Sequence, residues 1–243
     1  MKIVIPRELK SLSKIFPKDS RLFIVGGYIR DLMLNKNSND IDVTSSLTID
    51  ELEKILIGSN FVLKNKNKKC GTAQICYLTN LDIKFDYATF RVEKYKEDGS
   101  HSPSTVKFAN TLEEDVYRRD FSINSIYYDI NSKKIIDIFN GIYDLKNKIL
   151  KEIQSTTLKY DGERILRLIK FSAKLGFDIE EKTLFHALKH KNNIMGLSDT
   201  TLQKFTCDIN SMEIENRKRA KSLLALFKFE DLLSKIKTNG ENK

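Results

Sequence analysis

Two aspartates flank a single isoleucine in "NDIDV", residues 39–43, within a largely apolar segment. On a β-strand, residues two apart point to one side, so Asp40 and Asp42 project together while Ile41 and Val43 face the core. Adjacent carboxylates repel and raise one another's pKa, a conflict that a divalent cation removes. Paired hard oxygens suit Mg2+, which keeps waters and shares its coordination shell with substrate phosphates. The competing reading is an exposed edge strand with solvated aspartates. Upstream, "FIVGGYIRD" sets Gly26 and Gly27 between a strand and a helix. Glycines there let backbone N–H groups approach phosphate oxygens, and the helix N-terminus adds positive potential. Arg30, one turn on, can supply charge-assisted hydrogen bonds. Alone, the glycine pair is a tight turn; with the carboxylate pair it describes a site for a nucleoside triphosphate–Mg2+ complex.

Those residues need a frame. Residues 8–16 read as a short amphipathic helix, "RLFIVGG" as a strand running into a turn, and "YIRDLMLN" as a helix. "DIDVTSS" returns to strand, and "TIDELEKILIGSN" is a helix capped by Thr48 with Glu51 at N3. "FVLKN", "TAQICYL" and "LDIKFDYATFR" are further strands. Residues 92–107, with Gly99, Pro103 and several charges, read as a mobile loop. "TLEEDVYRRDFSINSIYYD" continues as helix, and "KKIIDIFNG" is a strand into a turn. After Gly141 strand signals almost stop, and the remainder is successive helices. The expected fold class is α+β: a mixed sheet of about 140 residues with helices packed on it, then an all-helical part.

The 243 residues carry a net charge of +9, with 40% hydrophobic and 31% charged residues. That balance suits a globular chain with an anionic partner, nucleic acid before membrane surface. Cys70, Cys76 and Cys207 lack metal-type spacing and suit a reducing cytoplasm. His186 and His190 stand four apart, a helical zinc-ligand spacing without a third ligand, so a solvated helix face is the plainer reading. No apolar run reaches membrane-spanning length, and the N-terminus lacks a signal-peptide core. Oligomeric state is not legible.

"GGYIRDLMLN…NDIDVTSS", "RRDFSINSIYYD" (Arg118 to Asp129), "DIFNGIYDLKNKIL" (Asp137 to Leu150) and "DGERILRLIKF" (Asp161 to Phe171) follow one another in order. In that order they resemble the motifs of class II tRNA nucleotidyltransferases and bacterial poly(A) polymerases, within the polymerase-beta superfamily, over roughly residues 20–175. The resemblance implies untemplated addition of C, C and A, from CTP and ATP, to the 3′ end of tRNA. It also implies a nucleotidyltransferase head over residues 1–142, a helical neck for nucleotide selection over 143–195, and a shortened body-like segment contacting RNA over 196–243. Carried over, Asp40 and Asp42 hold Mg2+, as two ions, while Gly26, Gly27, Arg30 and Asp31 match the triphosphate-binding motif. Arg118, Arg119, Asp120 and Asn124 match the motif around the nucleotide sugar and phosphates. Physically, Arg119 can neutralise phosphate and Asn124 can hydrogen-bond a ribose hydroxyl. A helix-start ion-pair cluster, with Asp120 as a cap, is the competing reading. Asp86 in "FDYATFR" stands where the superfamily places a third acidic group, either as the base activating the primer hydroxyl or as a solvated aspartate.

Asp161 and Arg164 share a helical face. Cytosine and adenine both offer an amino donor beside a ring-nitrogen acceptor, which a carboxylate and a guanidinium match. Uracil and guanine reverse that polarity and leave buried groups unpaired. A surface salt bridge is the alternative. Arg167, one turn further, is a phosphate or base contact by the same resemblance. The chain departs from the pattern at Tyr160, where Glu is usual, and at Gly162, where proline is common. The loop after Arg91 resembles that of members adding CCA or A rather than CC alone. A poly(A) polymerase or A-adding enzyme of the same family, and a non-catalytic RNA-binding module, are the alternatives. Arg217, Lys218, Arg219 and Lys221 either hold an acceptor stem or form a solvated helix face.

Overall fold

The computed structural model describes residues 3–95 and 103–237. The chain forms two compact units, Met1–Glu93 with Thr105–Ile142, and Lys94–Ser104 with Tyr143–Lys243.

The first unit runs α1 (Arg7–Ser13), β1 (Phe23–Val25), α2 (Gly27–Met33), β2 (Asp42–Ser45), α3 (Ile49–Leu56), β3 (Phe61–Asn67), β4 (Thr72–Tyr77), β5 (Asn80–Thr89), β6 (Arg91–Lys94), β7 (Thr105–Phe108), α4 (Leu112–Val116), β8 (Tyr127–Asp129) and β9 (Lys134–Ile136). Seven strands make one mixed sheet in the order β3-β4-β5-β2-β1-β8-β9. β2 and β5 run parallel, while β1 pairs antiparallel with both β2 and β8. One face buries Ile24, Val43, Ile75 and Tyr87 against Leu9, Leu12, Leu52 and Leu56 of α1 and α3. The other face buries Phe23, Val25 and Tyr127 with Leu112 and Val116 of α4. Helix α3 carries the expected capping box, with Thr48 and Glu51 bonded reciprocally.

Two sequence expectations change. "YYD" is not helical: Tyr127–Asp129 is strand β8, inserted between β1 and β9. Its tyrosines suit a pleated buried surface better than a helix interior. Residues 92–107, read as a mobile loop, have strands β6 and β7 at their ends, paired as a two-stranded sheet. The middle of that segment, including the loop length compared with CCA-adding members, lies outside the described residues.

The second unit is reached through α5 (Gly141–Lys146). It continues with β10 (Ile149–Leu150), α6 (Gly162–Leu175), β11 (Asp178–Ile179), α7 (Glu181–Lys189), α8 (Asp199–Asn210), α9 (Ile214–Phe227) and α10 (Glu230–Ser234). The two-residue β10 and β11 pair in parallel. Ile165, Leu168 and Ile169 of α6 are fully buried, and α6 packs on α8 and α9. Among the described residues no helix is long and apolar enough to cross a membrane.

Gly162, the first residue of α6, lies against the backbone of Asn193 and Ile194. A Cβ there would stand 2.5 Å from the Asn193 carbonyl oxygen and 2.9 Å from the Ile194 nitrogen. Proline suits the first position of a helix, yet here any side chain meets fixed backbone. Gly162→Ala should therefore lower stability by about 1–3 kcal/mol, although helix propensity alone favours alanine by about 1 kcal/mol. A urea-denaturation midpoint that rises on substitution would refute the close approach.

Candidate nucleotide site

Register fixes the floor of the site. Tyr127 pairs with Val25, Val25 with Asp42, Asp42 with Asp86, and Asp86 with Gln74. Register partners project to one face of a sheet, so these five side chains form a row across the strands. Helix α4 covers the Tyr127 end. The other end opens into a cleft of about 350 Å3 lined by Val25, Asp42, Asn65, Gln74, Asp86, Arg118 and Arg119, among others.

Asp42 and Asp86 are exposed at neighbouring strand positions, and Gln74 Nε2 donates to Asp86 Oδ1 at 3.0 Å. The alternation foreseen in "NDIDV" holds: Ile41 and Val43 are buried, Asp40 and Asp42 exposed. Asp40 precedes β2 and is not among the cleft-lining residues. Gly26 ends β1 with φ of +81°, and a Cβ on it would stand 3.2 Å from Asp42 Oδ2. The glycine thus keeps the space over that carboxylate open. Two hard carboxylates with room above them fit a divalent cation. Among the described residues no group of three or more His, Cys, Asp or Glu is arranged for a metal, so the fit rests on the carboxylate pair.

Arg30 is buried and bonded within the first unit. It is only 4% exposed and donates through Nε to Asp31 Oδ1 at 2.8 Å and through Nη1 to Asn124 Oδ1 at 2.6 Å. Asn124 Nδ2 donates to Asp120 Oδ1 at 3.0 Å, and that oxygen also accepts from the Phe121 amide at 2.8 Å. Asp31, Arg30, Asn124 and Asp120 therefore form one chain of bonds beneath the short helix α2. Gly27 opens that helix, and its Cβ position lies 3.4 Å from Arg30 Nη2.

Arg118 and Arg119 follow the end of α4, and both pair with Asp115. Arg118 Nε donates to Asp115 Oδ1 at 2.7 Å and Arg119 Nη2 to Oδ2 at 3.0 Å. The Arg91 amide also donates to Asp115 Oδ1 at 3.1 Å. Asp115 was not singled out from sequence, although its spacing of three and four residues to the arginines is a helical ion-pair signal. Burial alone would push its carboxyl up; the Arg118 and Arg119 guanidiniums and the Tyr127 hydroxyl outweigh that and hold it at about 2, below the ordinary 3.8. A depressed carboxyl adds stability that is complete above the unfolded value and lost as pH falls towards 2. The difference corresponds to about 2 kcal/mol. The stability gap between the unsubstituted chain and Asp115→Asn, from urea unfolding, should shrink by that order between pH 5 and pH 2.5; a gap independent of pH would contradict the assignment.

In the second unit, Asp161 and Arg164 are 8% and 9% exposed, so this is no surface salt bridge. Asp161 caps α6, its Oδ1 accepting from the Glu163 amide at 2.9 Å, while Oδ2 accepts from Arg164 Nε at 3.2 Å. Arg164 also donates to the Thr157 carbonyl at 3.4 Å and the Tyr95 hydroxyl at 3.3 Å. Arg167 lies over the Phe171 ring at 5.1 Å. Tyr160 receives the Lys159 ammonium at its hydroxyl and over its ring. His186 is not simply solvated: its Nδ1 pairs with the buried Glu152, whose carboxyl burial pushes up. Arg219 donates to the Phe177 carbonyl and Asp178 at 2.7 Å each, tying α9 to the end of α6 rather than standing free for an acceptor stem.

The family model described as Poly A polymerase head domain matches residues 22–151. The chain belongs to that family. Among curated relatives, the CCA-adding enzyme of Staphylococcus haemolyticus is 37% identical over 183 residues, covering 74% of this chain and 43% of that protein. The CCA-adding enzyme of Streptococcus thermophilus is 33% identical over 195 residues, covering 76% and 44%. The chain spans less than half the length of these relatives. A solved CCA-adding enzyme in complex with CTP superposes with a TM-score of 0.73 at 25% identity, over 94% of this chain and 53% of that one. The Thermotoga maritima CCA-adding enzyme complexed with tRNA gives 0.73 at 23% identity over the same shares, a likeness of fold. The α+β expectation holds: a seven-stranded mixed sheet followed by helices is the arrangement of this family's head and neck.

Proposed function

We propose that the chain is a template-independent nucleotidyltransferase that adds C and A, from CTP and ATP, to the 3′ end of tRNA and releases pyrophosphate. The observation that carries the reading is the juxtaposition of Asp42 and Asp86 on neighbouring parallel strands, in a cleft rimmed by Arg118 and Arg119. Asp42 and Asp86, with Asp40 two residues before Asp42, would hold a divalent cation, Mg2+ as two ions being the natural choice, and it would supply electrostatic stabilisation of charge developing on the phosphates. Gly26 leaves room for the phosphates above Asp42. Arg118 and Arg119 offset phosphate charge from the rim. Arg30 acts from beneath, setting Asp31, Asn124 and Asp120, and leaves Asn124 one amide hydrogen for a sugar hydroxyl. Asp86 is in this reading the third acidic group of the set, with Gln74 bonded to its Oδ1. Asp161 and Arg164, with Arg167 one turn on, choose the base. In this reading residues 1–142 are the head, 143–195 the neck and 196–243 a body-like segment facing RNA, in a cytoplasmic protein whose three cysteines are free thiols.

The test is incubation with tRNA that ends before its 3′ CCA, supplying CTP and ATP singly and together. Three added nucleotides with both are expected. A long tail from ATP alone would replace the reading with poly(A) synthesis, and an RNA bound but never extended would replace it with a binding module.

A further inference from the structure

Tyr127 belongs to the row that floors the cleft, yet it is fully buried beneath α4. Its hydroxyl has two partners, and both belong to the arginine cluster. It accepts from Arg119 Nε at 2.6 Å and donates to Asp115 Oδ2 at 2.8 Å. The Arg119 guanidinium carbon also lies 4.8 Å from the centre of the Tyr127 ring. With the bond from Nη2 to Asp115, one guanidinium is fixed at Nε, at Nη2 and across its face. Arg118 shares Asp115 through its own Nε. Phenylalanine would fill the same core volume, and a buried hydroxyl is unfavourable unless bonded. Burial raises the Tyr127 phenol and keeps it protonated, as donation to Asp115 requires.

Ordering a long side chain at the moment of binding weakens affinity. A guanidinium already ordered by its own fold presents its planar fork without that penalty. We propose that Tyr127 is a positioning residue that pre-orients Arg119 for the triphosphate of the incoming nucleotide. The inference rests on the reading of the cleft as a nucleotide site.

Equilibrium binding of CTP with Mg2+, together with incorporation kinetics, tests it. Tyr127→Phe should weaken CTP binding and raise its KM about tenfold, with kcat changed less than KM. Arg119→Lys, which spares the buried ring, provides a second arm: lysine cannot engage the hydroxyl and the carboxylate through one planar fork, and CTP binding should fall at least tenfold. Combined, the two substitutions should be non-additive. CTP affinity within twofold of the unsubstituted chain in either Tyr127→Phe or Arg119→Lys, or additivity of that pair, overturns the proposal, as does a lowered melting temperature with an unchanged KM. An unsubstituted chain that binds no CTP removes the nucleotide reading and this inference with it. CTP binding without any incorporation removes the transfer reading alone.

Discussion

Asp42→Ala is expected to lower nucleotide incorporation about a thousandfold or more, while the melting temperature holds or rises. The activity loss follows from the donor set. Asp42 and Asp86 are register partners, and removing Asp42 takes away one of the carboxylates proposed to hold the cation that offsets phosphate charge, a loss of several kcal/mol from the transition state. The stability effect has the opposite sign for the same reason. Like charges at facing strand positions destabilise a sheet, and Asp42 is exposed, so alanine removes its repulsion with Asp86 without opening a cavity. Activity at the unsubstituted rate would remove Asp42 from the chemistry. A large fall in melting temperature would recast it as a structural residue. Asp86→Ala should lose as much, and Asp40→Ala measures how far a carboxylate just outside β2 belongs to the same set.

Asp161→Asn is expected to relax discrimination against UTP and GTP by about a hundredfold or more, with the fold undisturbed. Asparagine caps a helix as well as aspartate does, so α6 keeps the bond to the Glu163 amide. Alanine would confound the result by removing that cap, at about 1 kcal/mol. What the asparagine amide changes is polarity at the position proposed to accept from the amino groups of cytosine and adenine, and the charge that holds Arg164 Nε. A site that pairs donors and acceptors rejects mismatches because they strand buried polar groups. Competition assays with all four triphosphates measure the ratio directly. Unchanged selectivity would leave Asp161 as a helix cap and nothing more.

Local rules made much of this legible before any fold was known. The capping box at Thr48 and Glu51, the glycine turn after β1 and the in–out alternation of "NDIDV" each depend on residues within a few positions of one another. What stayed hidden is non-local. That Asp86 faces Asp42 follows from strand order, because β5 pairs with its sequence neighbour β4 on one side and, in parallel, with the distant β2 on the other. Arg30 looks available for a phosphate until Asn124, 94 residues on, takes its guanidinium. Tyr127 carried no signal while its segment was read as helix, since its role depends on pairing with β1. Asp115 was within reach, by its spacing to both arginines. Gly162 was read as a departure from a family habit; its meaning, a helix start pressed on the Asn193 backbone, needs the packing.

The late arrival of β8 in the chain has a kinetic consequence. β8 joins β1 across about a hundred intervening residues, with Arg21 and Asp129 closing the same junction by an ion pair at 2.6 Å between residues 108 apart. Contacts of such long separation form slowly, after loop-closure entropy has been overcome. Until β8 docks, Arg119 lacks its hydroxyl partner, and a chain emerging from the ribosome has only part of the cluster proposed to hold a triphosphate. A ligand that binds the finished sheet alone draws the folding equilibrium towards it. Nucleotide would then act on nascent chains as a conformational brace, and its protection against proteolysis should begin only once Tyr127 has been synthesised and paired.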